Sequence, residues 1–216
     1  MSITQPVGVA RRINRAILTA TLAFSLVALA LLGRFAAATP DRWSAGAALV
    51  YGATLVACSL CSFLYNMLEQ ARRRAVLRAL DHAAIFLLIA GTYTPFAAGG
   101  IPGPLGVGLL EWVWGLSLAG IVLKLWLRGT DDRVFVGLYI GIGWFFVVAM
   151  REFITITTPL SLALLAAGGV TYTAGALVYA RDQGRWTAPV WHGCVLAGAV
   201  THFLAVLALL LPASAA

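Results

Sequence analysis

The chain has 216 residues, 61% of them hydrophobic and 11% charged, with a net charge of +7. A soluble domain carries roughly 25% charged residues, so the excess apolar surface must face lipid, and a chain this short has no room for a soluble domain beside its membrane spans of about 20 residues each. The positive balance does not imply nucleic acid, because the arginines stand in clusters between apolar runs rather than along a basic helix, which is the pattern that orients a protein in a membrane.

In chain order, Arg11, Arg12 and Arg15 precede an apolar stretch that ends in Ala36, Ala37 and Ala38, an arrangement that imitates a secretory signal. The apolar part of a signal runs about 7–15 residues, whereas the run from Ala16 to Leu32 is longer and Arg34 follows it, so it is read as a first spanning helix. Apolar runs of helix length predict spans near 16–37, 44–66, 81–99, 104–127, 133–150, 157–180 and 189–212, with Pro and Gly at the joints. Loops this short make successive helices antiparallel neighbours. The expected fold is all-α: one domain over residues 1–216, a bundle of seven transmembrane helices.

The distribution of Lys and Arg tests that drawing. With the N-terminus inside, twelve of the fifteen basic residues fall on inner segments, and only Arg34, Arg42 and Arg151 fall outside. The N-terminus is therefore expected to be cytoplasmic and the C-terminus outside. Cys58, Cys61 and Cys194 lie within or at the edge of apolar runs and are read as free thiols. Small residues at Gly137, Gly141, Gly143, Gly168, Gly169, Ala174, Gly175, Ala197, Gly198 and Ala199 suit close helix packing. Six tryptophans (Trp112, Trp114, Trp126, Trp144, Trp186 and Trp191) fall mostly near span ends, where an amphipathic ring anchors at the interface.

An ionisable or strongly polar residue within a span marks a functional site by default. Near the inner end of the second span stand Ser62, Tyr65, Asn66 and Glu69. Asp81 and His82 open the third span and His192 the seventh, all at the same side. Each has a structural alternative. Glu69 can pair with Arg72 or Arg73 at helical spacing, Asp81 can cap the third helix, His82 is read as pointing away from Asp81, and His192 as either a ligand or a bonded interhelical histidine. His202 lies ten residues beyond His192, about 15 Å along a helix, and needs a partner near the bilayer centre. Glu111, Lys124, Arg151 and Glu152 sit near span ends and are read as snorkelling or paired.

The segments Ser62-Phe63-Leu64-Tyr65-Asn66, Ala79-Leu80-Asp81-His82-Ala83-Ala84-Ile85 and Ile89-Ala90-Gly91-Thr92-Tyr93-Thr94-Pro95-Phe96 resemble the hemolysin III family, kin to the progestin and adipoQ receptors. The stretch from Gly168 to Gly175 with Tyr179 resembles that family's sixth helix, and Trp191-His192 with His202-Phe203 its seventh. The resemblance implies a seven-helix bundle with a cytoplasmic N-terminus. It also implies a zinc ion on three histidines, one ending S-x-x-x-H on the second span and two forming H-x-x-x-H on the seventh, with an aspartate that orients or activates the attacking water. Ser62, Asp81 and His192 are in register with that pattern, as catalytic (Ser62, Asp81) and residual metal-binding (Asp81, His192) residues. The other two histidine positions are Asn66 and Ala188, and the family's early Glu and His have no counterpart near Arg12 to Thr21.

Two arrangements are open: a metal-free polar knot of Asn66, Asp81 and His192, or a weaker metal held by Asp81, His192, Glu69 and Cys194. The favoured expectation is a hemolysin III-like membrane protein without catalytic zinc, serving membrane homeostasis or signalling, with membrane lipid or a lipid ligand as partner and a bacterial inner membrane as its place. The first alternative is a zinc-dependent intramembrane hydrolase of a lipid amide or ester. The second is a pore or transporter, which should stack polar residues through the bilayer where only His202 is deep. A retinal protein is excluded because the seventh span has no lysine for a Schiff base.

Overall fold

The computed structural model describes residues 8–68, 73–99, 101, 103–127, 132–181 and 184–210, and every regular element among them is helical. The helices are α1 (Val9–Ala38), α2 (Arg42–Met67), α3 (Arg74–Gly99), α4 (Pro104–Trp126), α5 (Asp132–Gly143), a 3₁₀ turn (Phe145–Ala149), α6 (Met150–Ile156), α7 (Pro159–Arg181) and α8 (Thr187–Leu210). With α5, the 3₁₀ turn and α6 counted as one crossing, seven segments are long and apolar enough to span a membrane.

Helices α1 to α4 pack in sequence, α7 pairs with α8, and α1 closes the ring against α8. Helix α3 is the most enclosed span, in contact with α2, α4, α5 and α8. Its Phe86 and Phe96 are fully buried among Phe135 and Tyr139 of α5 and Phe153 of α6. On α1 the buried stripe is Ala10, Asn14, Leu18, Thr21, Ser25, Ala28 and Leu32, spaced by threes and fours as one helix face requires.

Close approach between helices is built from small residues. A Cβ on Gly91 of α3 would lie 1.9 Å from Thr54 Oγ1 of α2. On the α7–α8 interface, Gly168 faces His202, Gly175 faces Cys194 and Gly198 faces Tyr172, each too closely for a Cβ. The expectation for Gly137, Gly141 and Gly143 is corrected: nothing lies within 4 Å of a Cβ placed on any of them, because Gly137 and Gly141 are exposed and Gly143 borders a cavity.

Three helix boundaries differ from the hydropathy spans in ways that matter. Helix α1 starts at Val9 and α3 at Arg74, before the apolar runs begin, since a helix continues past the hydrocarbon for as long as its polar residues find partners. The fifth crossing extends to Ile156 but is broken at Trp144. Non-helical backbone at membrane depth is tolerated only where protein satisfies it, and Tyr93 of α3 does so. Its hydroxyl donates toward the carbonyls of Ile142 (3.0 Å) and Gly143 (2.9 Å) and accepts the Phe146 N–H at 2.8 Å. Outside the spans, Asp41 caps α2, accepting from the Ser44 hydroxyl at 2.6 Å and the Trp43 N–H at 3.0 Å, and these bonds hold its carboxyl below the usual carboxylate range.

Candidate functional site

At the end of the bundle where α1, α3, α5 and α8 begin and α2 and α7 finish, polar side chains from all six helices line one cavity. Ser62, Tyr65 and Asn66 come from the last turns of α2, Asp81 and His82 from the third turn of α3, and His192 from the second turn of α8. The spacing of Ser62 and Asn66, four apart, stacks them on one face of α2, and Asn66 Nδ2 donates to the Ser62 carbonyl at 2.8 Å.

His192 is buried and both of its ring nitrogens are engaged. Nδ1 donates to Asn14 Oδ1 of α1 at 2.7 Å, with the Ala188 backbone also within reach one turn back. Nε2 faces the Ser62 hydroxyl at 3.4 Å, and that hydroxyl is also hydrogen-bonded to the Asp81 carboxylate. A chain of contacts therefore runs from α1 through α8 and α2 to α3: Asn14, His192, Ser62, Asp81.

A second polar group adjoins the first. Asp132, the first residue of α5, accepts from Lys124 Nζ of α4 at 2.6 Å and from His82 Nδ1 at 3.2 Å, and is ion-paired with Arg78 of α3. Lys124 is only 2% exposed, and its ammonium also sits 4.3 Å from the centre of the Phe135 ring, so it is fully committed to the protein. Tyr139 donates to the His82 carbonyl at 2.9 Å, and the Tyr179 hydroxyl lies 3.5 Å from His82 Nε2.

The structure thus brings together Ser62, Tyr65, Asn66, Asp81, His82 and His192 on one cavity, and Glu69 lies outside the described residues. One expectation for these residues is corrected. Asp81 does not cap α3, since the helix starts seven residues earlier. The ring of His82 is turned to Asp132 and Tyr179 rather than to Asp81, and it lines the same cavity. His202 is not in the cluster: its Nε2 donates to the Leu165 carbonyl at 3.1 Å, and it lines a separate, mainly apolar cavity with Tyr172, Thr173, Trp144 and Phe146. The two cavities share Ile85, Leu88, Tyr139, Ala176 and Trp191 as walls.

Several site residues escaped the sequence. Asn14 preceded the apolar run, although its spacing from Leu18 and Thr21 gives it away as part of the buried stripe. Asp132 was hidden among the charges of Arg128, Asp131 and Arg133, Tyr179 was marked only through the family resemblance, and nothing local marks Tyr139. Three of the tryptophans are also reassigned. Trp112, Trp126 and Trp186 are exposed as anchors would be, but Trp114 donates to Thr94 Oγ1 at 3.2 Å, Trp144 donates to Thr173 Oγ1 at 2.9 Å, and Trp191 walls both cavities.

Seven apolar crossings around an internal polar cavity, with an apolar chamber beside it, define a multi-pass membrane protein built around a site within the bundle. The haemolysin-III related family matches residues 15–203. The chain is 32% identical over 183 residues to the Hemolysin-3 homolog of Bacillus subtilis (strain 168), covering 85% of this chain and 86% of that protein. It is 35% identical over 163 residues to Hemolysin-3 of Bacillus cereus, covering 76% and 74%. The chain belongs to the hemolysin III family, and its bacterial relatives fit a place in the cell membrane. No solved structure is significantly similar to it.

The zinc that the family resemblance implies can be tested against the donors present. A catalytic zinc takes three protein ligands and a water. Among the described residues no three His, Cys, Asp or Glu side chains converge. Asn66 is bonded to its own helix, Ala188 offers no side-chain donor, and Cys194 packs on Gly175 of α7 rather than on the cavity. With Nδ1 of His192 on Asn14, the imidazole offers at most the one nitrogen that faces Ser62. The described residues do not fit a zinc site.

Proposed function

We propose that this chain is a hemolysin III-family membrane protein that serves membrane homeostasis or signalling without a catalytic zinc, through a lipid-derived ligand taken up by the polar cavity from the cytoplasmic side. The observation that carries the reading is the double engagement of His192. One nitrogen is bound to Asn14 at 2.7 Å and the other faces Ser62 at 3.4 Å, so the imidazole that would be the last zinc ligand is part of a hydrogen-bonded knot instead. Asn66 and Ala188 at the other two ligand positions support the same conclusion, because a borderline-soft ion gains little from an amide and nothing from a methyl. The positive-inside distribution supports a cytoplasmic opening, since the cavity lies at the end of the bundle that carries Arg15, Arg74 and Arg78.

Elemental analysis of the detergent-purified protein, beside an Asp81→Ala, His192→Ala double variant, tests it. The expected result is zinc well below one ion per chain in both samples. About one zinc per chain, lost in the double variant, would overturn the reading and return the protein to the metal-dependent hydrolases.

A further inference from the structure

Resting on the metal-free reading, we propose that Ser62 is a nucleophile, with His192 as its general base and Asn14 as the group that orients His192, and that this set hydrolyses a long-chain acyl ester. The signature of an activated serine is a base within hydrogen-bond reach, often somewhat long in the unliganded protein, with the base held by a third group on its far nitrogen. Here Ser62 Oγ stands 3.4 Å from His192 Nε2, and His192 Nδ1 stands 2.7 Å from Asn14 Oδ1. Because Asn14 presents an oxygen to Nδ1, the proton resides on Nδ1, and Nε2 is left as the acceptor that a general base requires. The same logic of roles, with an asparagine in third place, recurs on unrelated folds.

The serine hydroxyl has two acceptors, Asp81 and His192. Turned toward His192, it attacks an ester carbonyl: a bond forms between Ser62 Oγ and the carbonyl carbon as the hydroxyl proton passes to Nε2. The ester C–O bond then breaks, and the proton on Nε2 goes to the departing alcohol. Water repeats the sequence on the acyl-serine, giving up one proton to His192, releasing the carboxylic acid and restoring the hydroxyl. Asn66, one turn beyond Ser62, spends one amide hydrogen on the Ser62 carbonyl and lines the same cavity, which leaves its second amide hydrogen as the donor we assign to the oxyanion.

The substrate class follows from the neighbouring chamber. The apolar cavity shares five wall residues with the polar one, so a molecule with its carbonyl at Ser62 and a long apolar chain places each part in surroundings of its own kind. Its polar alcohol portion faces the ionic end of the bundle at Arg78 and Asp132.

The test is labelling of the full-length protein, in detergent and in lipid vesicles, with a long-alkyl fluorophosphonate, the modified residue being mapped by mass spectrometry and zinc being measured on the same sample. Attack by Ser62 forms a P–O bond, expels fluoride and passes the proton to His192. The expected result is modification of Ser62 that a chelator does not reduce, slowed about 100-fold or more in His192→Ala. Asn14→Leu is expected to lose the label and Asn14→Asp, which keeps an oxygen on Nδ1, to retain it; a merely structural asparagine would show no such rescue. Variants are compared only where size-exclusion profile and melting match the parent, and the wild-type map stands without them. A folded, zinc-free wild type with Ser62 unmodified overturns the triad and leaves the metal-free reading in place, as does a label indifferent to His192. Stoichiometric zinc sinks both.

Discussion

Two polar residues in this protein are held by geometry that a change of one functional group would expose. Lys124 is 2% exposed and lies 2.6 Å from Asp132; its removal leaves a partly buried carboxylate short of a counter-charge, and breaking such a pair costs about 3 kcal/mol or more. Lys124→Met is therefore expected to lower unfolding stability in detergent by that order. Arg78→Gln, at a side chain 31% exposed on the same carboxylate, is expected to cost clearly less, because solvent screens it. Equal losses for the two, by denaturant unfolding, would show that burial does not set the strength of the network. At His192 the decisive fact is the oxygen of Asn14, which fixes the tautomer and with it which ring nitrogen faces Ser62.

At the level of elements, the fifth crossing is the one that departs from a plain helix. The break between α5 and the 3₁₀ turn leaves carbonyls at Ile142 and Gly143 and an amide at Phe146 to be satisfied inside the membrane, and a single phenol on α3 meets all three. Tyr93→Phe keeps the ring and deletes the hydroxyl, so it is expected to destabilise by about 1–3 kcal/mol. Hydrogen–deuterium exchange should then accelerate at Phe146 and spread into α6 while α7 and α8 stay protected. Unchanged exchange at Phe146 would mean that the break is satisfied by other means. The small-residue stripe of α7 and α8, by contrast, is a plain packing device: Gly168, Gly175 and Gly198 each receive a side chain from the partner helix.

For the whole molecule, the closure of α1 on α8 decides where the chemistry lies. It brings Asn14 against His192, 178 positions away in the chain, while central α3 carries Asp81 and His82 to the same end. Twelve of fifteen basic residues predict that this end is cytoplasmic. An export-dependent phosphatase fused to the C-terminus is therefore expected to be active and a fluorescent protein fused there dark. The opposite pattern would turn the cavity toward the outside and remove the cytoplasmic entry from the proposed function.

Seven apolar runs of helix length, read against a membrane that admits only internally bonded backbone, were enough by themselves for the class of fold, because hydropathy is a local property. So was family membership, carried by the run from Ile89 to Phe96 and by Ser62, Asp81 and His192 in register. The residues that converge on the cavity were partly visible too, since polar groups inside apolar spans stand out one by one. What the chain order does not contain is partnership. That His192 bonds to Asn14, that His82 turns to Asp132, that His202 bonds to Leu165 in a separate chamber, and that Trp144 and Trp191 wall cavities rather than anchor in lipid all depend on which helix faces which. Helix rotation and neighbour choice are set by packing of many side chains at once, through close contacts such as Gly91 on Thr54, and no local spacing encodes them.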